Sequence, residues 1–464
     1  RYNFDNKYFA EASFRRDGSS RFHPDHRWGN FWSLGGSWTI TKEPFMAPYL
    51  NSINSLKMRA SYGQVGNDAG VDYYGYMALY SMAQNANRGA LYKIQNDAKN
   101  IKWETSASFG VALEASLFNR LNLSVEYFDK RSNDLLFDVN LPLSAGGTKT
   151  DAAEATITQN IGSVSNRGVE LSVDADIIRK RDFKWNVGFN ATLLKNKIVR
   201  LPEQNRENGI ITGFNRYFEG RGIYDFWMFQ YVGVDKMSGR SLYLPDTDRF
   251  YFNAEEPEEG KNLIPAQYLV QIGDDYYTNF TTYASKGYSG SAIPDLYGSF
   301  TTSISYKSFD LSMLFTYSIG GKTYDNSYRN LMSVTANPGA QHRDVLKAWN
   351  GIPQGWDLDD KTRIDRKGVP IVDYELSSFN DAISSRFLID ASYFTVKNIS
   401  LSYTLPKRIA KKLDISDMSV NMTVDNLATF TKLTGMNPQQ SFDGTNYNAF
   451  VAARVFSVGL NIRL

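Results

Sequence analysis

The hydrophobic pattern at the end of the chain alternates with a period of two. Phe456, Val458, Leu460, Ile462 and Leu464 fall on one face of an extended strand, and mostly polar or small residues fill the other face. This alternation is typical of a β-strand, because the apolar positions of a helix recur about every 3.6 residues. A terminal strand of this kind must be paired along both edges, which a closed barrel achieves. The pattern therefore predicts the closing strand of an outer-membrane β-barrel, with its apolar face towards lipid.

The same alternation recurs along the chain and predicts about fourteen strands. The cleanest one covers 105–117, and Asn119 with Arg120 is expected to form the turn after it. The weakest pair is 224–234 with 241–244, because both faces of 224–234 are apolar. The predicted strands are 8–16, 31–40, 56–63, 105–117, 121–127, 169–177, 183–193, 224–234, 241–244, 300–306, 309–317, 399–403, 420–424 and 456–464.

The register of these strands also predicts which side chains meet lipid. Leu113, Leu123, Val187, Phe315 and Leu401 are expected on the lipid face, whereas Ser108, Asn122 and Asn190 are expected to face the lumen. The reason is that successive side chains of a strand point to opposite faces of the sheet.

The lengths of the connections support the same fold. Outer-membrane barrels have short periplasmic turns and long outer loops, and the final strand runs down to the periplasm, so every long connection is expected outside. The fold class predicted for 1–464 is all-β, a transmembrane antiparallel β-barrel with long extracellular loops. The short or modest connections are 41–55, 118–120, 180–182, 235–240, 307–308 and 405–417, and the mostly longer ones are 17–30, 64–102, 132–165, 195–223, 245–295, 319–392 and 427–449.

Composition changes this picture little. A mean hydropathy of −0.41 and 22% charged residues would suit a soluble protein. A barrel strand, however, shows lipid only every second residue, and 14% aromatic residues suit girdles at the two membrane surfaces. The absence of cysteine excludes a disulfide scaffold and a thiolate metal site. A net charge of +2 does not predict nucleic acid as a partner.

Several local runs resemble the SusC/RagA-type family of TonB-dependent outer-membrane transporters found in Bacteroidetes. They follow the order of the family over nearly the whole chain. One departure is Leu464, where the family usually ends on an aromatic residue. The runs are YFAEASFRRDGSSRF at 8–22, WGNFWSLGGSWTITKEPF at 28–45, LKMRASYGQVG at 56–66, NRGVEL at 166–171, FTVKNISLSYTLP at 394–406 and DNLATFT at 425–431.

The resemblance implies a larger protein than this chain. A barrel of the family has about 22 strands, so roughly eight strands, the plug domain and the TonB-contacting segment are expected to precede Arg1. It further implies an active importer of oligosaccharides or peptides in the outer membrane, embedded in its lipid. The implied partners are a SusD-like surface lipoprotein that acts as a lid and the TonB complex, which supplies energy.

Aromatic side chains in the long connections are the candidate substrate-binding residues. Flat rings can stack on sugar faces or hold peptide side chains, although internal packing of long loops is the ordinary role of any single ring. The candidates are Tyr73, Tyr74 and Tyr76, Tyr276 and Tyr277, and Trp349 and Trp356, with Tyr80, Tyr283 and Tyr288 nearby in the sequence.

The sequence predicts neither a resident cofactor nor catalysis. His23, Asp25 and His26 lie close together, but Pro24 interrupts them and no helical spacing brings them to one face. An acidic segment suggests calcium, yet it lacks the glycine and the ligand spacing of an EF-hand loop. No arrangement of nucleophile, base and orienting group stands out, so an enzyme is not expected. The acidic segment comprises Asp246, Asp248, Glu255, Glu256, Glu258 and Glu259.

Two other functions fit the same pattern. The chain could be a complete fourteen-stranded passive diffusion channel, since that strand count is even, or a barrel that serves as a scaffold in an envelope assembly. Pairing separates the channel from the importer. A complete small channel requires 8–16 to pair with 455–464, whereas the importer requires both segments to pair with strands outside this chain.

Overall fold

One antiparallel sheet organises the molecule, and each of its strands pairs with the barrel strands next to it in the chain. The computed structural model describes residues 1–85, 87–141, 155–253, 257–334, 339–353, 361–439, 443–446 and 450–463. The sheet follows the order β1 (Tyr2–Phe4), β2 (Tyr8–Gly18), β3 (Trp28–Thr39), β4 (Ile53–Asn67), β7 (Glu104–Leu117), β8 (Leu121–Leu141), β9 (Ala155–Arg179), β10 (Phe183–Arg200), β21 (Leu296–Tyr306), β22 (Phe309–Ile319), β26 (Tyr393–Thr404), β27 (Asp417–Thr431) and β28 (Val455–Arg463).

Every strand of this sheet except the short β1 was predicted from alternation. Several are longer than predicted, and β8 and β9 extend furthest. On β8 the apolar face ends at Tyr127, and Asp129 and Arg131 follow on the same side, 3.2 Å apart in an ion pair. The alternation therefore stops while the backbone pairing continues, because pairing needs no apolar side chains.

The prediction of 224–234 and 241–244 as barrel strands is wrong. These residues form β13 (Asp225–Phe229), β14 (Tyr231–Asp235) and β15 (Ser241–Tyr243), which belong to two small sheets outside the barrel sheet. Phe226, Met228 and Leu242 are fully buried there. Their apolar positions mark a globular core, which explains why they do not alternate with polar ones. Removing these two strands from the count leaves the alternation of short and long connections unchanged. Every long connection therefore still lies at the same end of the barrel strands.

The register places the predicted side chains on the expected faces. Leu113 lies opposite Met58 and Val125, and Leu401 lies opposite Leu311 and Met422, so apolar residues continue from strand to strand. Four rings on this face, from four neighbouring strands, form a continuous row. Their centroids are separated by 5.8, 5.6 and 6.4 Å in the order Phe300, Phe315, Phe394 and Phe430.

The opposite face carries polar side chains that bond to each other across strands. The Arg59 guanidinium donates to Glu114 at 2.9 Å and also to Glu126. Asn190 donates to Ser299 at 2.6 Å. A polar group that is buried on this face needs such a partner, because an unmade hydrogen bond there costs more than a made one gains.

The two end strands of the sheet do not pair with each other in the described residues. β28 pairs with β27 from Asp417 to Asp425, and β2 pairs with β3 and with the short β1. In the described residues, the segment 8–16 therefore has no pairing with 455–464, although a small closed channel requires that pairing. No helix in the described ranges is long and apolar enough to cross a membrane.

The remaining elements lie in the long connections, apart from α3, which lies in the short connection before β27. They are β5 (Leu79–Asn85), β6 (Arg88–Gln95), β11 (Ile210–Thr212), β12 (Asn215–Tyr217), β16 (Phe250–Tyr251), β17 (Asn262–Leu263), β18 (Leu269–Ile272), β19 (Asp275–Thr278), β20 (Lys286–Ser291), β23 (Lys322–Tyr324), β24 (Ile364–Asp365), β25 (Leu388–Asp390), α1 (Asn326–Met332), α2 (Ser377–Asn380) and α3 (Lys407–Ala410).

Candidate functional site

The two longest connections, 201–295 and 320–392, fold together into one body that we call the outer unit. Its five-stranded sheet has the order β18-β19-β15-β14-β24, in which β24 comes from the second connection and the other strands from the first. A core of Phe226, Met228, Tyr324 and Phe387 likewise draws on both connections. Long loops that pack in this way present a fixed surface, which is what a binding site on a barrel requires.

A buried ion pair joins the two connections. Arg363 donates to both carboxylate oxygens of Asp235, at 2.6 and 3.0 Å, and Asp235 is only 1% exposed. Burial alone would raise the pKa of Asp235, but hydrogen bonds from Arg363, Ser238 and the Met237 amide lower it below its ordinary value. The carboxylate is therefore charged at neutral pH and holds Arg363 in a bidentate pair.

A second buried group lies where β14 meets the segment after α2. Arg386 donates to Asp381 at 2.9 Å, and its guanidinium lies 5.8 Å from the ring centre of Tyr231. Burial raises the pKa of Asp381 more than Arg386, Ser377 and Arg329 lower it. Burial also raises the pKa of Tyr231 to about 12. These groups stabilise the interior of the outer unit and offer no exposed surface for a ligand.

The first group of predicted binding residues lies in the connection 68–103. Tyr73 and Tyr74 are exposed, and the Arg21 guanidinium lies 4.9 Å from the ring centre of Tyr73. Tyr76 packs instead against a core that includes Phe22, and its ring meets His23 edge-on at 5.7 Å. Tyr73 and Tyr74 are thus accessible to a ligand, whereas Tyr76 supports the loop.

Two of the other predicted binding residues, Tyr276 and Trp349, have partners inside the outer unit. Tyr276 stacks on Phe252 at 5.0 Å, and Tyr277 lies next to it in β19. The Trp349 indole donates to the Lys236 carbonyl at 2.7 Å, and its ring lies so close to Gly239 that a Cβ there would clash at 2.6 Å. Trp356 lies outside the described residues. In the described ranges, no ring contact joins these residues to Tyr73 or Tyr74.

The candidate metal ligands do not converge in the described ranges. No three histidine or carboxylate side chains lie close enough there to hold an ion. His23 Nδ1 lies 3.2 Å from Asp25, and Asp246 accepts from Arg249 at 2.5 Å. Glu255 and Glu256 lie outside the described residues, so the suggestion of calcium at this segment stays a prediction.

The structure brings together one cluster that the sequence analysis did not identify. Trp227 on β13 lies directly opposite Tyr288 on β20, with ring centres 4.8 Å apart. Arg216 covers Trp227 and Arg221 covers Tyr288, each with 4.4 Å from the guanidinium carbon to the ring centre. The alternation along β13 could have shown that Trp227 lies on the other face of the strand from Phe226 and Met228. Only long-range pairing brings Tyr288 beside Trp227.

Comparison with known proteins identifies the family. A family model described as the β-barrel of TonB-dependent receptor-like proteins matches residues 1–427. TonB-dependent receptor P3 of Formosa agariphila is 29% identical and covers 100% of this chain. TonB-dependent receptor SusC of Bacteroides thetaiotaomicron is 25% identical, again over 100% of this chain. The chain spans only 44% and 43% of these two relatives, which is less than half of their length.

A solved structure supports the same assignment of the fold. The RagAB peptide importer in its "closed-closed" state superposes with a TM-score of 0.76 over 99% of this chain and 46% of that chain. The sequence identity is 23%, so the likeness shows the fold alone. Together with the family match, it places the long connections at the extracellular side and the short ones in the periplasm. The chain therefore belongs to the TonB-dependent receptor family and forms outer-membrane β-barrel of the SusC/RagA type.

Proposed function

We propose that this chain is the C-terminal part of the barrel of an active importer for oligosaccharides or peptides. The observation that carries the proposal is the outer unit, in which the two longest extracellular connections share a sheet and a core. A passive pore needs no such structure, whereas a receptor that must recognise its cargo needs a fixed surface above the pore. Recognition and transport, with no chemical change to the cargo, are what this arrangement supports.

A SusD-like lipoprotein lid would cover the outer unit. Several large apolar side chains of the connection 320–392 are exposed outside the membrane, with exposed fractions of 90% for Leu346, 59% for Tyr374 and 56% for Ile352. A contiguous patch of exposed apolar groups marks a protein contact surface, and in this proposal these side chains belong to one such patch. Cargo would be enclosed between this lid and the extracellular loops, where Tyr73 and Tyr74 are accessible.

Energy for release would come from the TonB complex. In this proposal TonB acts on a plug domain that precedes Arg1, so the chain itself supplies the wall of the channel and the receptor surface. The passive channel is the weaker proposal, because it needs 8–16 to pair with 455–464. Among the described residues β28 pairs with β27 alone, and the free edge of β2 begins to pair with β1.

Purification from the native outer membrane tests the importer proposal. We expect a surface lipoprotein to co-purify with the full-length protein, and mass spectrometry to identify it together with any bound saccharide or peptide. Leu346→Asp should reduce the amount of co-purified lipoprotein, whereas Lys347→Gln, at the neighbouring exposed cation, should not. A protein that purifies alone and conducts freely in planar bilayers without TonB would contradict the proposal.

A further inference from the structure

One face of the sheet formed by β12, β13 and β20 carries three aromatic rings, and each ring is covered by a cation. Alternation along β13 buries Phe226 and Met228 on one side, so Trp227 and Phe229 lie on the other. On β20, Tyr288 lies opposite Trp227 and Lys286 lies opposite Phe229. We call this surface the cationic face; it consists of Arg216 over Trp227, Arg221 over Tyr288 and Lys286 over Phe229.

The three cations are held close to the rings. The guanidinium carbons of Arg216 and Arg221 each lie 4.4 Å from a ring centre, and Lys286 Nζ lies 4.8 Å from the centre of Phe229. Arg216 is held further by a 2.9 Å bond from its Nε to the Asn208 carbonyl. A cation over a ring is attracted by the negative face of the π system, which restricts its motion and leaves its N–H groups for a ligand.

The three cations of this surface have no acidic ion-pair partner among the described residues. In the described part of the chain, Arg216, Arg221 and Lys286 have no carboxylate oxygen within 4.0 Å. By contrast, Arg249, Arg363 and Arg386 are each paired with an aspartate. Asp225, on the same strand, accepts from the Gly222 amide at 3.1 Å. The cationic face therefore carries three positive charges that are not in ion pairs, with Asp225 as the nearby carboxylate.

We propose that the cationic face binds the acid groups of an anionic oligosaccharide. Guanidinium groups recognise carboxylate and sulfate through paired hydrogen bonds, and the partly exposed rings of Trp227 and Tyr288 provide apolar area for sugar rings at the margins of the cluster. Phe229 packs against the buried Tyr243 cluster, so it supports Lys286 from below. This inference rests on the proposed import function and names its substrate class. Arg221 and Lys286 are exposed, so they form the accessible part of the surface.

A sugar chain fits this surface better than an acidic peptide. Extended peptides bind mainly through backbone hydrogen bonds along a sheet edge, with side chains adding specificity. The cationic face is the flat side of a sheet in which β13 is paired on both edges, so its backbone groups are already bonded. Around β13, rings and cations are therefore the groups left for a ligand, and these match a ring-based chain that carries acid groups; β20 is the edge strand of this sheet.

Binding of a short oligogalacturonate to the full-length protein in detergent tests the inference. We expect the acid form to bind and its methyl-esterified, neutral form to bind at least about tenfold more weakly, because esterification removes the charges that the cations recognise. Arg221→Gln with Lys286→Gln should weaken binding of the acid form by about tenfold or more. Higher salt should weaken it in the unsubstituted protein and have less effect in the double variant.

Arg249→Gln is the matched control. Arg249 also lies over a ring, 5.2 Å from the centre of Phe250, but it is paired with Asp246, so its loss should leave binding unchanged. Arg221→Lys, with Lys286 unchanged, keeps the positive charge at this position and should retain most of the affinity for the acid form. Equal binding of acid and neutral forms, or unchanged affinity in the double variant, would refute the inference. Tighter binding of an oligoglutamate peptide would refute the saccharide assignment.

The assay also separates this inference from the proposed function. It uses purified protein and soluble ligand, so it depends on neither TonB nor the lid. Failure to bind oligogalacturonate would leave an importer of other cargo in place. If no surface lipoprotein co-purified with the protein, that result would contradict the importer proposal. It would not change the affinity of the cationic face for the saccharide.

Discussion

At the scale of single residues, the face of the strand on which a side chain lies decides how much an introduced charge lowers the stability of the barrel. Leu113 lies on the apolar face of β7, and Ser124 lies on the polar face of β8, opposite Glu114. Leu113→Arg should destabilise the barrel by about 2–4 kcal/mol, because a guanidinium near the middle of the bilayer loses its hydration. Ser124→Arg should cost much less, since it meets Glu114. Equal costs of the two substitutions in urea titrations of the refolded barrel would contradict the register.

The ion pair between Asp235 and Arg363 allows a second prediction at this scale. Arg363→Gln leaves the carboxylate of Asp235 buried without its cation, and breaking one side of a buried pair costs about 3–5 kcal/mol. The outer unit should therefore become sensitive to protease while the membrane strands stay protected. Arg366→Gln, at an exposed residue three positions away, should leave the cleavage pattern unchanged. Unaltered resistance of Arg363→Gln would show that the pair does not hold the two connections together.

At the scale of elements, the turn between β7 and β8 is strained. The Arg120 amide donates to the Leu117 carbonyl at 3.0 Å, so Phe118 and Asn119 are the central residues, one position earlier than predicted. Both have positive φ, 55° and 54°, as the central residues of a type I′ turn do. Asparagine tolerates this conformation, but a bulky residue does so at a cost.

This strain predicts a stabilising substitution. Phe118→Gly should raise the free energy of unfolding by about 1 kcal/mol, because glycine adopts a positive φ without steric cost. Arg120→Gly is the control, since Arg120 has a negative φ and should gain nothing. Urea unfolding of the refolded barrel measures both. A loss of stability in Phe118→Gly would mean that the exposed ring contributes more at the membrane surface than the strain costs.

At the scale of the whole molecule, the edges of the sheet distinguish the importer from the small channel. The chain has no cysteine, so introduced pairs report strand neighbours directly. Ser13→Cys with Ser33→Cys should form a disulfide, because these hydroxyls face each other at 2.6 Å across β2 and β3. Ser13→Cys with Ser457→Cys should form none in the native membrane, because β2 and β28 do not pair. A disulfide in the second pair would establish a small closed channel.

The alternation of residues alone determined the membrane strands, their two faces and the side on which the long connections lie. These properties are local, since a strand needs only its own period of two, and parity follows from counting strands. The same local rule failed at 224–244, because β14 and β15 are largely buried and the half-buried face of β13 is aromatic, so apolar residues do not alternate with polar ones. Only the tertiary structure showed that β14 of this segment pairs with β24. It also showed the ion pair between Asp235 and Arg363, which are 128 residues apart. The cationic face also depends on pairing across a long connection, where no local pattern marks the partner, so Trp227 and Tyr288 could be placed together only by the fold.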